Sequence, residues 1–299
     1  MKSKFYYMFE EISIYVAFVG SSIAGIWDLK TTEIPDSIPH AMILIALIIA
    51  LARSFYEQSL FPLAYSLACG SILFVFGFAL YYSGQWGGGD AKILSAVGFL
   101  IPNIIKSSWF DRILPFPFSG MVSYTVNVFF VGTAYMLLYS FVLALVNRKI
   151  LTSFSKEVKA SSNLIMIFSL SLFFIFIALN LYLCHVFEIP INFRFLFLNS
   201  LLPLVLTIGV FTVWKFTKSV EEVGFKKRIP VSKLKVGDVL AESKLWEGIT
   251  QKELIKIKKS GKKYVRIKEG VRFAPAFPLA LLFTVYFGDF FPLIFRLVI

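Results

Sequence analysis

The 299-residue chain is 58% hydrophobic, 17% aromatic and only 16% charged, whereas a soluble domain of this size carries about 25% charged residues. Apolar runs long enough to cross a bilayer recur along it, which excludes an ordinary soluble enzyme and predicts a polytopic helical membrane protein. The formal net charge is +12, and it is concentrated late: 17 Lys/Arg stand against 7 Asp/Glu between Lys215 and Arg272. Beside membrane spans, such a surplus marks a cytoplasmic face, and no nucleic-acid recognition motif accompanies it, so nucleic acid is not an expected partner.

Taken in order, spans are predicted at about 10–27, 38–53, 60–83, 90–105, 119–147, 164–187, 195–217 and 273–297. The start, Met1-Lys2-Ser3-Lys4 followed by Phe9-Glu10-Glu11, lacks a small-residue cleavage site and reads as an uncleaved first helix. The fourth span is the shortest, and its start lies below the membrane surface only if the preceding Gly-rich loop is enclosed by protein or water. Residues 103–119, with Trp109 and Pro115-Phe116-Pro117-Phe118, read as an interfacial loop. The two cysteines, Cys69 and Cys184, lie far apart inside apolar runs and form no C-x-x-C pair, so neither zinc binding nor redox chemistry is expected of them. The 34 phenylalanines read as packing and lipid-facing residues.

With the N-terminus outside, the loop bearing Lys30, the Gly-rich loop before Lys92, the loop with Arg148, Lys149, Lys156 and Lys159, and the basic segment 218–272 all fall inside. Outside loops keep only Arg53, Lys106, Arg112 and Arg194. Within the basic segment, Ile229-Pro230-Val231, Val236 to Leu240 and Lys262 to Ile267 read as short strands. Thr250 and Glu253 carry a capping-box pattern that opens a helix. The expected fold class is an all-α polytopic membrane protein of about eight transmembrane helices, with a small α+β cytoplasmic insert before the last one. The insert reads as an anchor on anionic headgroups, each Lys or Arg near the surface being worth about 1 kcal/mol. The other reading is that it recruits substrate or a secretion partner.

Two ionisable residues stand out. Asp28 ends the first apolar run, in Trp27-Asp28-Leu29-Lys30-Thr31-Thr32-Glu33-Ile34-Pro35-Asp36. Asp90 opens the fourth, after Gly84-Gln85-Trp86-Gly87-Gly88-Gly89. In the topology above both reach the same depth on the inner side. Two carboxylates close together in a low-dielectric site cannot both ionise readily, and such a pair can activate water against a peptide carbonyl without metal or covalent intermediate. Each aspartate also has a bland explanation. Acids at helix ends often stand in headgroup water, a carboxylate at a helix N-terminus caps free N–H groups, and glycines make turns. Position alone leaves the pairing open.

Gly87-Gly88-Gly89-Asp90 fits the G-x-G-D motif of membrane-embedded aspartic proteases, and Gly89 to Gly98 resembles the extended motif of type IV prepilin peptidases. Asp28 followed by Ile34-Pro35-Asp36 resembles that family's first-aspartate motif, and Phe273-Ala274-Pro275-Ala276-Phe277-Pro278-Leu279-Ala280 the start of its last helix. The sequence looks closer to the archaeal preflagellin and prepilin peptidases. The resemblance implies that Asp28 and Asp90 are a catalytic pair, and that Gly87 and Gly89 shape the loop bearing the second. Asp36 and Lys92 match motif positions as supporting residues. It further implies an aspartic endopeptidase that clips short basic leaders from pilin or archaellin precursors at the cytoplasmic face of the cell membrane. No cofactor is expected. N-methylation, which bacterial members also perform, is not, because the cysteine-bearing loop and a dinucleotide-type Gly-rich motif are missing. Domains follow as a peptidase core over 1–217, a basic insert over 218–272 and a final helix over 273–299.

Asp289 lies about sixteen residues into the last span, roughly 24 Å along a helix, and is expected near the face opposite Asp28 and Asp90. His40 reads as a structural histidine. Two alternatives remain: an intramembrane protease of the signal-peptide-peptidase kind, which would place its first aspartate in a Tyr-Asp motif inside a helix, and a transporter using the aspartates as a proton or cation relay.

Overall fold

The computed structural model describes residues 2–104, 118–290 and 292. The interfacial loop expected over 103–119 and the end of the last predicted span lie largely outside them. Seven helices come first: α1 (Lys2–Thr31), α2 (Ser37–Glu57), α3 (Phe61–Tyr82), α4 (Gly88–Ile104), α5 (Ser119–Val146), α6 (Arg148–Val186) and α7 (Phe193–Val220). A π-helical turn leads into β1 (Lys226–Pro230), β2 (Val239–Leu240), α8 (Gln251–Lys259), β3 (Tyr264–Lys268) and α9 (Ala276–Phe287). Contacts divide the chain into two compact units, Met1–Leu138 with Arg228–Ile299, and Tyr139–Lys227.

The first unit is built around α4. Thirteen of its seventeen residues are buried, and it packs against α1, α2 and α3. Small residues make this enclosure possible, as they do wherever apolar helices must approach closely without a hydrophobic drive between them. A Cβ on Gly77 of α3 would sit 3.0 Å from the Ala91 Cα, and one on Gly98 of α4 would sit 3.2 Å from the Cys69 carbonyl. Hydroxyls join the same two helices: Ser95 donates to the Gly70 carbonyl at 2.9 Å and Ser66 to the Phe99 carbonyl at 2.6 Å. At the far end of α4, Arg53 of α2 donates to the Asn103 side chain at 2.8 Å.

Also in this unit, β1, β3 and β2 form a three-stranded sheet in that order, with Val239 opposite Lys268 and Leu240 opposite Ile267 in an antiparallel pair. Leu234, Ile249 and Leu254 form its own small core. The capping box predicted at α8 is present. The Thr250 hydroxyl accepts from the Glu253 N–H, and the Glu253 carboxylate accepts from the Thr250 N–H at 2.7 Å.

The second unit is dominated by α6 and α7, which pack against each other. The first turns of α6 were expected as a loop carrying Lys156 and Lys159. They are helical instead, because Asn147 caps Lys149 and no proline or glycine interrupts the run. Lys215, buried on α7, resolves its charge against Glu157 at 3.1 Å and over the Trp214 ring at 5.2 Å.

The protein is mostly helical and multi-pass. Among the described residues six helices are long and apolar enough to cross a membrane: α1 from Tyr7, α2, α3, α5, α6, and α7 extended to Phe225. About eight were expected. α4, with 17 residues, and α9, with 12, fall short.

The α3–α4 contact makes a direct prediction. Gly77→Leu, which must displace backbone, is expected to cost about 1–3 kcal/mol of stability. Gly209→Ala on α7, where a Cβ meets nothing within 4 Å, is expected to leave thermal unfolding in detergent unchanged.

Candidate active site

Asp28 sits one turn before the end of α1. The helix closes there because the Thr32 N–H bonds the Asp28 carbonyl at 2.8 Å, while Thr32 itself takes a left-handed conformation (φ 60°). That conformation is strained for a β-branched residue, and Thr32 lines the cavity described next. The Asp28 carboxylate is turned inward, only 4% exposed, and accepts the Ala274 N–H at 3.0 Å. Gly25, one turn earlier, lets the chain carrying Ala274 approach, since a Cβ there would stand 3.1 Å from the Pro275 Cα.

Asp90 lies in the first turn of α4, 9% exposed, and its carboxylate accepts the Gly87 N–H at 3.3 Å. It thus does the capping work foreseen for an acid at a helix start. A Cβ on Gly87 would press to 3.2 Å from that carboxylate oxygen. Asp28 and Asp90 line one cavity of about 770 Å³. The structure therefore brings the two sequence-predicted aspartates together.

The supporting residues join the motifs rather than touch the carboxylates, apart from Gly87. Gly89 packs on Ile34, where an added Cβ would come within 3.0 Å. Lys92 binds Asp36 at 2.6 Å, and both are substantially exposed. That hydrogen bond holds the Asp36 carboxyl below the usual carboxylate range. Its contribution to stability is therefore present above that range and fades as pH falls through the lowered value.

His40 is exposed beside Asp36 and does not line the cavity. Asp289 is buried elsewhere. It accepts from the Ser123 hydroxyl, next to a second polar knot in which Asn127 donates to Thr284 at 2.9 Å and to the Gly288 carbonyl at 2.8 Å. Neither Asp289 nor His40 lines the cavity that holds Asp28 and Asp90.

Several cavity residues were not singled out from sequence. Trp86 is buried against Phe129, Phe273 and Phe277, with ring centroids 5.3–5.8 Å away. Its place inside the Gly-rich stretch was the available signal. Arg272 donates to the Leu29 carbonyl at 2.9 Å and lines the cavity. Its neighbour Phe273 opens a motif already noted. Residues 235–239, Trp246, Gly248 and 267–271 also line the cavity, and no sequence pattern ties them to the aspartates. Among the described residues, no group of three or more His, Cys, Asp or Glu side chains is placed to hold a metal ion.

Fold and site together define a multi-pass membrane protein with two buried, neighbouring carboxylates at the ends of separate helices. Residues 15–148 match the model of the type IV leader peptidase family. The chain is 34% identical over 91 residues to a preflagellin peptidase of Methanocaldococcus jannaschii, covering 30% of this chain and 38% of that protein. It is 34% identical over 92 residues to a preflagellin peptidase of Methanococcus voltae, covering 31% and 39%. It is 24% identical over 147 residues to the prepilin peptidase EppA of Methanothermobacter thermautotrophicus, covering 47% and 38%. The chain thus spans about two fifths of the length of the curated relatives it matches.

Substitutions at the motif junctions should separate two kinds of contact. Asp36→Asn removes an exposed ion pair and is expected to cost less than about 1 kcal/mol of stability. Gly89→Leu drives a side chain into Ile34 and is expected to cost about 1–3 kcal/mol. Thermal unfolding of the two variants in parallel checks the order.

Proposed function

We propose that this chain is a membrane-embedded aspartic endopeptidase that removes a short leader from prepilin-type or preflagellin precursors, with Asp28 and Asp90 as the catalytic pair. The observation that carries the reading is the convergence of both carboxylates on one cavity. The family of residues 15–148 and the peptidase names of its relatives add to it.

The pair holds one proton between its two carboxyl groups, as neighbouring carboxylates in a poorly solvated site do. The ionised member takes a proton from a water molecule as its oxygen bonds to the scissile carbonyl carbon. The protonated member donates a hydrogen bond to the carbonyl oxygen and stabilises the charge that develops there. When the C–N bond breaks, the proton taken from water passes to the leaving amine, and the pair is ready again.

The N–H groups of Ala274 and Gly87 orient the two carboxylates. Gly87 and Gly89 allow the loop to fit around Asp90 and Ile34, and Asp36 with Lys92 ties the loop after α1 to the start of α4. The cavity faces the cytoplasm in the orientation set by the basic loops. The core carries the chemistry and the basic segment 218–272 modulates it, against anionic lipid headgroups or substrate.

Asp28→Asn and Asp90→Asn, each in the full chain, are expected to lower precursor cleavage in membranes by at least about 100-fold with unfolding temperatures close to that of the parent. Mass spectrometry of the product reads the cut. Retained cleavage in either variant removes the aspartates from the mechanism. Cleavage is also expected to fall on both the acid and the alkaline side of its optimum, because only the singly protonated pair is competent.

A further inference from the structure

The wall of the cavity facing the helical loops is made by the small α+β domain that precedes α9. Its turn over 235–239 and the end of β3 into 267–272 line the same space as Asp28, Asp90, Thr31–Ile34 and Gln85–Gly89. The domain is also fastened to the loop that delivers Asp90. The indole N–H of Trp246 donates to the Gly84 carbonyl at 3.0 Å, and Tyr81 at the end of α3 donates to the Glu247 carboxylate at 2.9 Å.

Gly84, at φ +80°, meets the Lys244 carbonyl so closely that a Cβ would fall 2.6 Å from it. This junction therefore needs glycine on two counts, backbone conformation and space. The fastening is itself braced. Lys268 lies 4.2 Å over the Trp246 ring and donates to the Ser243 carbonyl at 2.7 Å. A bilayer anchor would turn its cations outward, whereas here Lys235, Lys268 and Arg272 all border the cavity.

We infer, on the endopeptidase reading above, that the domain from Arg228 to Arg272 is a specificity cap. Its 235–239 turn contacts the precursor polypeptide next to the cut bond, and Trp246 is a positioning residue that fixes the Asp90 loop. Recognition and positioning are thereby joined. The wall that touches the substrate and the clasp that holds Gly84 to Asp90 belong to one small body with its own apolar core of Leu234, Ile249 and Leu254. Val236, at the turn, is 53% exposed and offers an apolar contact to the bound chain.

The test uses the full chain in lipid vesicles with a prepilin-type precursor. Trp246→Phe keeps an aromatic ring under Lys268 and removes only the N–H to Gly84. It is expected to lower kcat about tenfold, the scale of one hydrogen bond, with little change in KM and a displaced acid limb of the kcat–pH profile. A purely structural tryptophan would lower the unfolding temperature and leave that profile in place. In a second arm, a photo-cross-linking residue at Val236 in the Asp28→Asn chain is expected to capture the precursor at residues flanking its cleavage site.

If the parent chain cleaves the precursor but Trp246→Phe is kinetically unchanged, or Val236 cross-links only to lipid, the cap is overturned and the endopeptidase reading stands. If Trp246→Phe fails to fold, capture at Val236 decides. A parent chain that cleaves no prepilin-type or preflagellin precursor overturns both.

Discussion

The N–H of Ala274 pointing into the Asp28 carboxylate is the contact on which the arrangement of this molecule turns. It joins the end of the first helix to the approach of the last one described, across nearly the whole length of the chain. A buried carboxylate left without a donor would be costly. Once this bond is made, the direction of the Asp28 side chain is fixed and Arg272 and Phe273 are drawn to the cavity edge. Trp86 then finds its apolar bed between Phe129, Phe273 and Phe277. Asp90 is held more locally, by the amide of Gly87. One carboxylate is therefore positioned by long-range folding and the other by a turn.

Much of this was readable from residues. Asp28 with Ile34-Pro35-Asp36, the glycines before Asp90, and the run from Phe273 to Ala280 were recognised as separate motifs. The contacts explain why they occur together: Ile34 lies on Gly89, Asp36 on Lys92, and Ala274 on Asp28. The capping box at Thr250 was legible because it is a local device whose partners are three residues apart. Asp289 and His40 do not line the cavity shared by the pair.

What the sequence withheld was everything decided by packing at long range. Hydropathy could not show how completely α4 is enclosed by its neighbours, with thirteen of its seventeen residues buried. Charge spoke only to the solvent or headgroup side of the basic segment and not to what its other side meets. Trp246 meets Gly84 across 162 residues, and no periodicity or spacing announces such a contact. The basic start of α6 looked like a loop because charge imitates a loop, although propensity there favours helix.

The enclosure of α4 carries a consequence of its own. With thirteen of seventeen residues turned away from the surroundings, this helix has almost no direct exchange with acyl chains. Membrane composition therefore acts on Asp90 at second hand, through the tilt and spacing of α1, α2 and α3. A fluid or stiff bilayer changes the frame around the acid rather than the acid itself.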